Sequence, residues 1–307
     1  MGKHLVQRVA LAVPLILLVS FMTFAIMRLL PGDPALAALG GQAASPEAVD
    51  ELRNELGLDK PFYVQYVDFL AGAVQGDFGR SLRTGTRVTE EIRTTLPATA
   101  KLAASGLAVA VLIGVPLGVV AALKRNTVVD WFAVLLSTLG ISVPTFWLGL
   151  ALISLFSFRW GLLPAGGGEG WRTLVLPAVT LGTGGAAIIA RMTRSSLVEV
   201  LRQDYILTAR AKGLGDRIVV GRHALRNALI PVLTTVGLQV GALLSGAVLV
   251  ETVFSRPGIG RLLLQGVQSR DFPLVQGLIF LIATVYVVVN TLVDVLYAWL
   301  DPRIRFE

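Results

Sequence analysis

The chain has 307 residues, 54% of them hydrophobic and only 15% charged, with a mean hydropathy of +0.71. Soluble domains carry about 25% charged residues, so most of this chain belongs in lipid, and the absence of cysteine excludes disulfides, thiolate metal sites and cysteine nucleophiles. Two histidines, His4 and His223, are too few for a histidine-built metal centre; the net charge of +7 comes from lysines and arginines between apolar runs with no interleaved aromatics, which favours a membrane over nucleic acid.

A helix needs about 20 apolar residues to cross the hydrocarbon core, and six stretches read as spans. Residues 9–30 carry charge only at Arg28, and 102–123 carry none. Residues 131–158 are uncharged but long, with Pro144 as an expected kink. Residues 173–190 are shorter, rich in Gly and Thr, and the weakest of the set; 229–250 and 274–298 complete it. The expected class is an all-α polytopic membrane protein with six transmembrane helices.

The first run could instead be a cleaved signal peptide, with Lys3 and Arg8 as its basic start and Ala35-Leu36-Ala37 as a cleavage site. Its apolar stretch exceeds the usual 7–15 residues, and Arg28 and Pro31 separate it from that site, so it reads as a retained span.

Residues 31–97 are too polar for lipid. Pro31-Gly32-Asp33-Pro34 breaks the first helix. Ser45 then fits the N-cap of a short helix with Pro46 at its first position, running to about Leu56. Phe62, Tyr66, Phe69, Leu70 and Ala73 recur at helical spacing and predict an amphipathic helix over 62–74. This segment suits either a docking surface for a soluble partner or a structural cap.

Charge placement orients the spans. With the N-terminus inside, the inner segments collect Lys3, Arg8, Lys124, Arg125, Arg191, Arg194, Arg202, Arg210, Lys212, Arg217, Arg222, Arg226, Arg303 and Arg305. The short outer loops hold only Arg159, Arg172, Arg256, Arg261 and Arg270. Both termini are expected to be cytoplasmic.

The most distinctive stretch is 202–231, basic and two-part. Val198, Leu201, Tyr205 and Ala209 recur at helical spacing, as do Ile218, Gly221, Leu225 and Leu229, with Gly213 and Gly215 between them as a turn. Two short helices at a glycine elbow, each with an apolar face, suit a groove on a partner protein. A basic amphipathic loop lying on anionic lipid is the alternative.

The block Asp204-Tyr205, Thr208-Ala209-Arg210-Ala211-Lys212-Gly213-Leu214 and His223-Ala224-Leu225-Arg226-Asn227-Ala228-Leu229-Ile230-Pro231 resembles the cytoplasmic loop of binding-protein-dependent ABC transporter permeases of the dipeptide and oligopeptide branch. So do Pro31-Gly32-Asp33-Pro34, Leu56-Gly57-Leu58-Asp59-Lys60-Pro61, Gly76-Asp77-Phe78-Gly79, Glu251-Thr252-Val253-Phe254, Pro257-Gly258-Ile259-Gly260, Arg270-Asp271-Phe272-Pro273 and Asp301-Pro302-Arg303-Ile304-Arg305. The general loop has Glu-Ala-Ala before its glycine. Here that triplet is Leu207-Thr208-Ala209, so a salt bridge from such a glutamate is not available.

The resemblance implies a type I ABC importer permease fold, with residues 1–30 as N-terminus and first span, 31–97 as a helical extracytoplasmic segment, and 98–307 as a permease core with a coupling loop at 191–230. It implies a multi-pass protein of the bacterial inner membrane. Its expected partners are a second homologous permease, two P-loop ATPase subunits that hold ATP and Mg, and an extracytoplasmic substrate-binding protein. No cofactor is expected in this chain. Peptides are the expected cargo, with nickel, glutathione or haem as alternatives. The coupling residues carried over are Asp204, Tyr205, Thr208, Ala209, Arg210, Ala211, Lys212, Gly213, Leu214, His223, Arg226, Asn227 and Pro231.

No GxxxxGK[ST] occurs, so the chain lacks a phosphate-cradling loop of its own. A secondary transporter would call for midplane ionisable groups or an inverted repeat, a channel for a filter or charged ring, and neither is evident. Asp294, near the end of the last span with Arg303 and Arg305 close in sequence, reads as structural, and His223 as a packing residue. Lys101 and Glu251, at span ends, are expected to reach the interface.

Overall fold

In the computed structural model the described residues are 2–29, 35–36, 45–55, 57–167 and 170–300; the motifs at 31–34 and 301–305, the proposed cleavage site at Ala37, and Leu56 lie outside them. Among these residues the chain is helical, with one isolated bridge, Arg80 to Arg87. It divides into two compact units, Gly2–Ala98 with Pro257–Val288, and Thr99–Arg256 with the stretch from Val289.

The first unit holds α1 (Gly2–Leu29), α2 (Pro46–Glu55), α3 (Phe62–Val74), the start of α4 (Val88–Leu123), α11 (Ile259–Gln268) and most of α12 (Phe272–Leu300). Ser45 caps α2, its Oγ accepting from Ala48 N at 3.3 Å. The apolar face expected of α3 lies on α1. Phe24 sits edge-on to Phe62 at 5.1 Å between ring centroids, and Tyr66 Oη lies 2.9 Å from Ser20 Oγ and 3.0 Å from the Leu17 carbonyl. A second cluster joins Val88, Ile92, Ile259, Leu262, Leu274 and Leu278. Asp271 caps α12 by accepting from Leu274 N, and its other oxygen accepts from Ser81 Oγ and Arg83 N.

The second unit is built on α7 (Arg172–Val200), against which α5 (Val128–Ser142), α6 (Thr145–Leu152) and α10 (Leu225–Val253) pack. The stretch that is weakest as a span by composition is part of a helix of 29 residues whose apolar window is 61% buried. Small residues are what allow this. A Cβ on Gly182 would lie 2.5 Å from the Gly106 carbonyl oxygen, and one on Gly114 of α4 2.6 Å from that of Ala186, so α4 and α7 meet backbone to backbone.

Among the described residues, four helical runs are long and apolar enough to cross a bilayer: Val88–Leu123, Arg172–Val200, Asp216–Val253 and Phe272–Val293. The kink expected at Pro144 is a break. Val128–Ser142 and Thr145–Arg159 bend by 104°, a fifth span if the pair is counted as one. Pro144 has no N–H to continue the ladder, and Val143 before it is extended. The remainder of that stretch, Ile153–Arg159, winds as a π-helix.

Glu251 does not reach the interface. It is 1% exposed and its Oε1 accepts from Thr99 Oγ1 at 2.5 Å, because α10 turns this position inward. Lys101 is exposed. Arg256 is also buried, its Nη1 donating to the carbonyls of Gly167 and Thr173 at 3.3 and 3.2 Å. Burial lowers the pKa of its guanidinium, and the charge of Glu251 opposes that shift.

Candidate coupling elbow

The elbow begins where α7 ends at Val200. Val198 therefore belongs to α7, and the first elbow helix, α8, spans Asp204–Ala211. Asp204 lies in its first turn and Arg210 in its last, each at the end of the helix dipole that favours its charge. Thr208 Oγ1 donates back to the Asp204 carbonyl at 3.0 Å.

α8 closes with a paired C-terminal motif. Gly213 N donates to the Arg210 carbonyl at 2.9 Å and Leu214 N to that of Ala209 at 3.4 Å, with Gly213 at φ +82°. A Cβ at Gly213 would meet nothing within 4 Å, so the backbone angle alone demands glycine there. Gly215 is different. At φ −63° it is compatible with any residue, and it begins α9 (Asp216–Ile218).

Beyond α9 the chain winds as a π-helix over Val219–Ala224 and runs on into α10, a continuous helical stretch of 38 residues from Asp216 to Val253. This extra-wide turn moves the buried face. Val219, Ala224 and Ala228 are buried, five and then four residues apart, rather than Ile218, Gly221, Leu225 and Leu229. On α8, Ile206 and Ala209 are buried, whereas Tyr205 is 43% exposed. Ile206, Ala209, Val219, Ala224 and Ala228 share one cluster with Leu197 of α7 and Ala122 at the end of α4.

The opposite face is open. Leu207, Leu214 and Ile218 are exposed among the exposed Arg210, Ala211, Lys212, Arg217, Arg222 and Arg226. Leu207, the first residue of the Leu207-Thr208-Ala209 triplet, is 55% exposed. Two polar links brace the elbow. Asn227 Nδ2 donates to Tyr205 Oη at 2.9 Å and to the His223 carbonyl at 3.2 Å, and Arg210 pairs with Asp216 across the turn at 3.3 Å. His223 therefore joins through its backbone, from a half-buried position in the π-turn. Pro231 lies apart from the elbow, inside α10, where its ring leaves the Asn227 carbonyl without the usual helical donor.

One pair at the inner part of this unit has no counterpart among the expected site residues. Arg194 Nε and Nη2 donate to Asp130 Oδ1 and Oδ2 at 2.6 and 2.8 Å, and Asn126 N donates to Oδ2 at 3.0 Å. The partners are 64 residues apart in sequence, and Arg194 by itself reads only as topology. The one local signal is Asp130, an acid in the first turn of an otherwise apolar helix.

No group of three or more histidine, cysteine or acidic side chains suited to a metal occurs among the described residues. The site is thus a surface: a braced, glycine-capped turn with an apolar underside rooted in three long helices and a basic, partly apolar outer face.

Residues 114–306 match the binding-protein-dependent transport system inner membrane component, and residues 1–103 match the N-terminal domain of such components. A dipeptide transport system permease of Alkalihalophilus pseudofirmus is 42% identical, and a di/tripeptide permease of Pseudomonas aeruginosa 44%, each alignment covering 100% of both chains. A glutathione transport system permease of Escherichia coli K12 is 42% identical, again over 100% of both. A chain of the MetNI methionine ABC transporter shares the fold at a TM-score of 0.60 and 18% identity, covering 69% of this chain and 96% of that one. With apolar membrane-length helices, this fold and full-length similarity, the chain belongs to the binding-protein-dependent transport system inner membrane component family, as an ABC importer permease subunit.

Proposed function

We propose that the chain imports di- and oligopeptides as one of two permeases, driven by two P-loop ATPases that carry ATP and Mg and supplied by an extracytoplasmic binding protein. In this reading α1, 28 residues and about 42 Å long at 1.5 Å per residue, is the sixth span. Both termini and the elbow then face the cytoplasm, residues 31–97 face outward, and the broken pair at Pro144 forms one span.

The observation that carries the coupling role is the elbow's construction. Its exposed face offers Leu207, Leu214 and Ile218 to a groove on the ATPase, with basic residues around them. Its buried face is rooted in α4, α7 and α10 through Ala122, Leu197 and Ala228. Closure of the ATPase pair would push one rigid turn, and those helices would swing with it. Asp204, Tyr205, Thr208, Ala209, Arg210, Ala211, Lys212, Gly213, Leu214, His223, Arg226 and Asn227 build or face that turn; Pro231 sets the first part of α10.

Peptide cargo is supported by full-length similarity to dipeptide and di/tripeptide permeases. Glutathione is the second reading. The glutathione permease aligns over 307 positions, the length of this chain, against 334 and 335 for those two relatives. The test is purification with neighbouring subunits, reconstitution into vesicles, and uptake of labelled dialanine and glutathione with ATP inside. Uptake of dialanine that needs ATP and binding protein is expected. Uptake without ATP would return the secondary-carrier reading.

A further inference from the structure

In the second unit an apolar groove lies beside a basic turn, where α4 ends and α5 begins. The groove, about 330 Å³, is lined by Leu117 and Val120 of α4 and by Val128, Val129, Trp131 and Phe132 of α5. Val128 is 81% exposed and Trp131 66%, so it opens outward. In a chain with membrane-length helices, an open apolar groove at a helix end meets lipid. An exposed tryptophan one turn into α5 suits the membrane–water interface.

The turn is held in one shape. Asn126 stands at φ +62° and its N–H donates to Asp130 Oδ2 at 3.0 Å. Thr127 N and Oγ1 both donate to the Lys124 carbonyl, at 3.2 and 2.5 Å. Lys124 N donates to the Val120 carbonyl at 3.0 Å, so Lys124 continues the strip of α4 that carries Leu117 and Val120.

Lys124 and Arg125 are exposed, and neither has an ion-pair partner among the described residues. Asp130, the one acid in residues 117–138, is buried and already takes two hydrogen bonds from Arg194. Two positive charges are therefore left in excess. Val120 and Val128, which flank them in sequence, both lie on the groove wall.

An apolar groove alone would take any acyl chain, and a basic turn alone any anion. Side by side they complement a molecule that carries both parts. We infer that this turn and groove bind an anionic phospholipid, with Lys124 and Arg125 on its phosphate and one acyl chain along Val120, Val128 and Trp131. The assignment goes beyond the transport reading and holds whatever the cargo.

The test reconstitutes the purified permease complex into phosphatidylcholine vesicles that contain increasing fractions of brominated phosphatidylglycerol or brominated phosphatidylcholine. Bromine quenches tryptophan on contact, and the quenching lost in Trp131→Phe reports this groove. Each cation near a membrane surface contributes about fivefold, so phosphatidylglycerol should be preferred there by about 25-fold. Lys124→Gln with Arg125→Gln should bring the two lipids to parity, whereas Lys124→Arg with Arg125→Lys should keep the preference. Lys101→Gln with Arg159→Gln, which removes two exposed charges elsewhere, should leave it unchanged. In wild type, high salt should shrink it, a readout that needs no variant. Equimolar glycerol phosphate, which has no chain, should not displace the lipid.

Equal affinity for the two lipids in wild type, or a preference that survives loss of both cations, would overturn the assignment. Displacement by glycerol phosphate would assign the turn to a free phosphate instead. If Trp131→Phe loses no quenching, protein and not lipid covers the groove, and the assignment falls.

Discussion

Asn227 donates to the hydroxyl of Tyr205 at 2.9 Å, joining the first elbow helix to the start of the long helix that follows. The bond spans the turn at Gly213 and holds its two arms at a fixed opening. Replacing Tyr205 by Phe keeps the ring and removes only this bond. Thermal stability should fall by about 1 kcal/mol or less, while the ATP consumed per peptide imported should rise, measured side by side in vesicles. An unchanged ratio would remove the strut from coupling.

The two elbow glycines should behave oppositely. Gly213→Val forces a β-branched residue to φ +82°, at about 1–2 kcal/mol or more, and should uncouple uptake from ATP hydrolysis with insertion intact. Gly215→Ala, at φ −63° with nothing within 4 Å of the new Cβ, should be neutral or stabilising by about 0.4–1 kcal/mol. Normal uptake by a well-expressed Gly213→Val protein would separate the elbow from the mechanism.

Asp130 and Arg194 form a two-bond pair with side chains 7% and 28% exposed. Asp130→Ala strands the guanidinium and should destabilise the protein by about 3 kcal/mol. The double variant Asp130→Leu with Arg194→Met should recover most of that loss, because no charge is left unpaired. Thermal midpoints of the single and double variants decide it; a double variant no better than Asp130→Ala would refute the pairing argument.

At the α4–α7 crossing, Gly114→Leu should cost about 1–3 kcal/mol through overpacking, since even a Cβ would lie 2.6 Å from the Ala186 carbonyl oxygen. Loss of folded protein in detergent is the readout, with Gly221→Leu as a control at an open position of ordinary φ.

Much of this was legible in the residue pattern, and the exceptions have identifiable causes. Long uncharged runs mark the membrane-length helices because lipid leaves no other use for them. The caps at Ser45 and Gly213 are local chemistry and read directly. The buried face of the elbow did not, because the π-turn at Val219–Ala224 adds a residue per turn that a 3.6-residue spacing does not anticipate. Proline at position 144 signalled a disturbance but not a 104° break. Asp130 with Arg194, and Thr99 with Glu251, are contacts between distant segments, and periodicity carries no information about partners so far apart.

The glycine-lined crossing of α4 and α7 makes natural variation there one-sided. A contact made by backbone offers no side chain to trim, so every substitution at Gly114 or Gly182 adds atoms where none fit. Drift in cargo preference or partner choice must therefore accumulate on other surfaces, while this seam stays fixed as the register against which the rest of the unit is assembled.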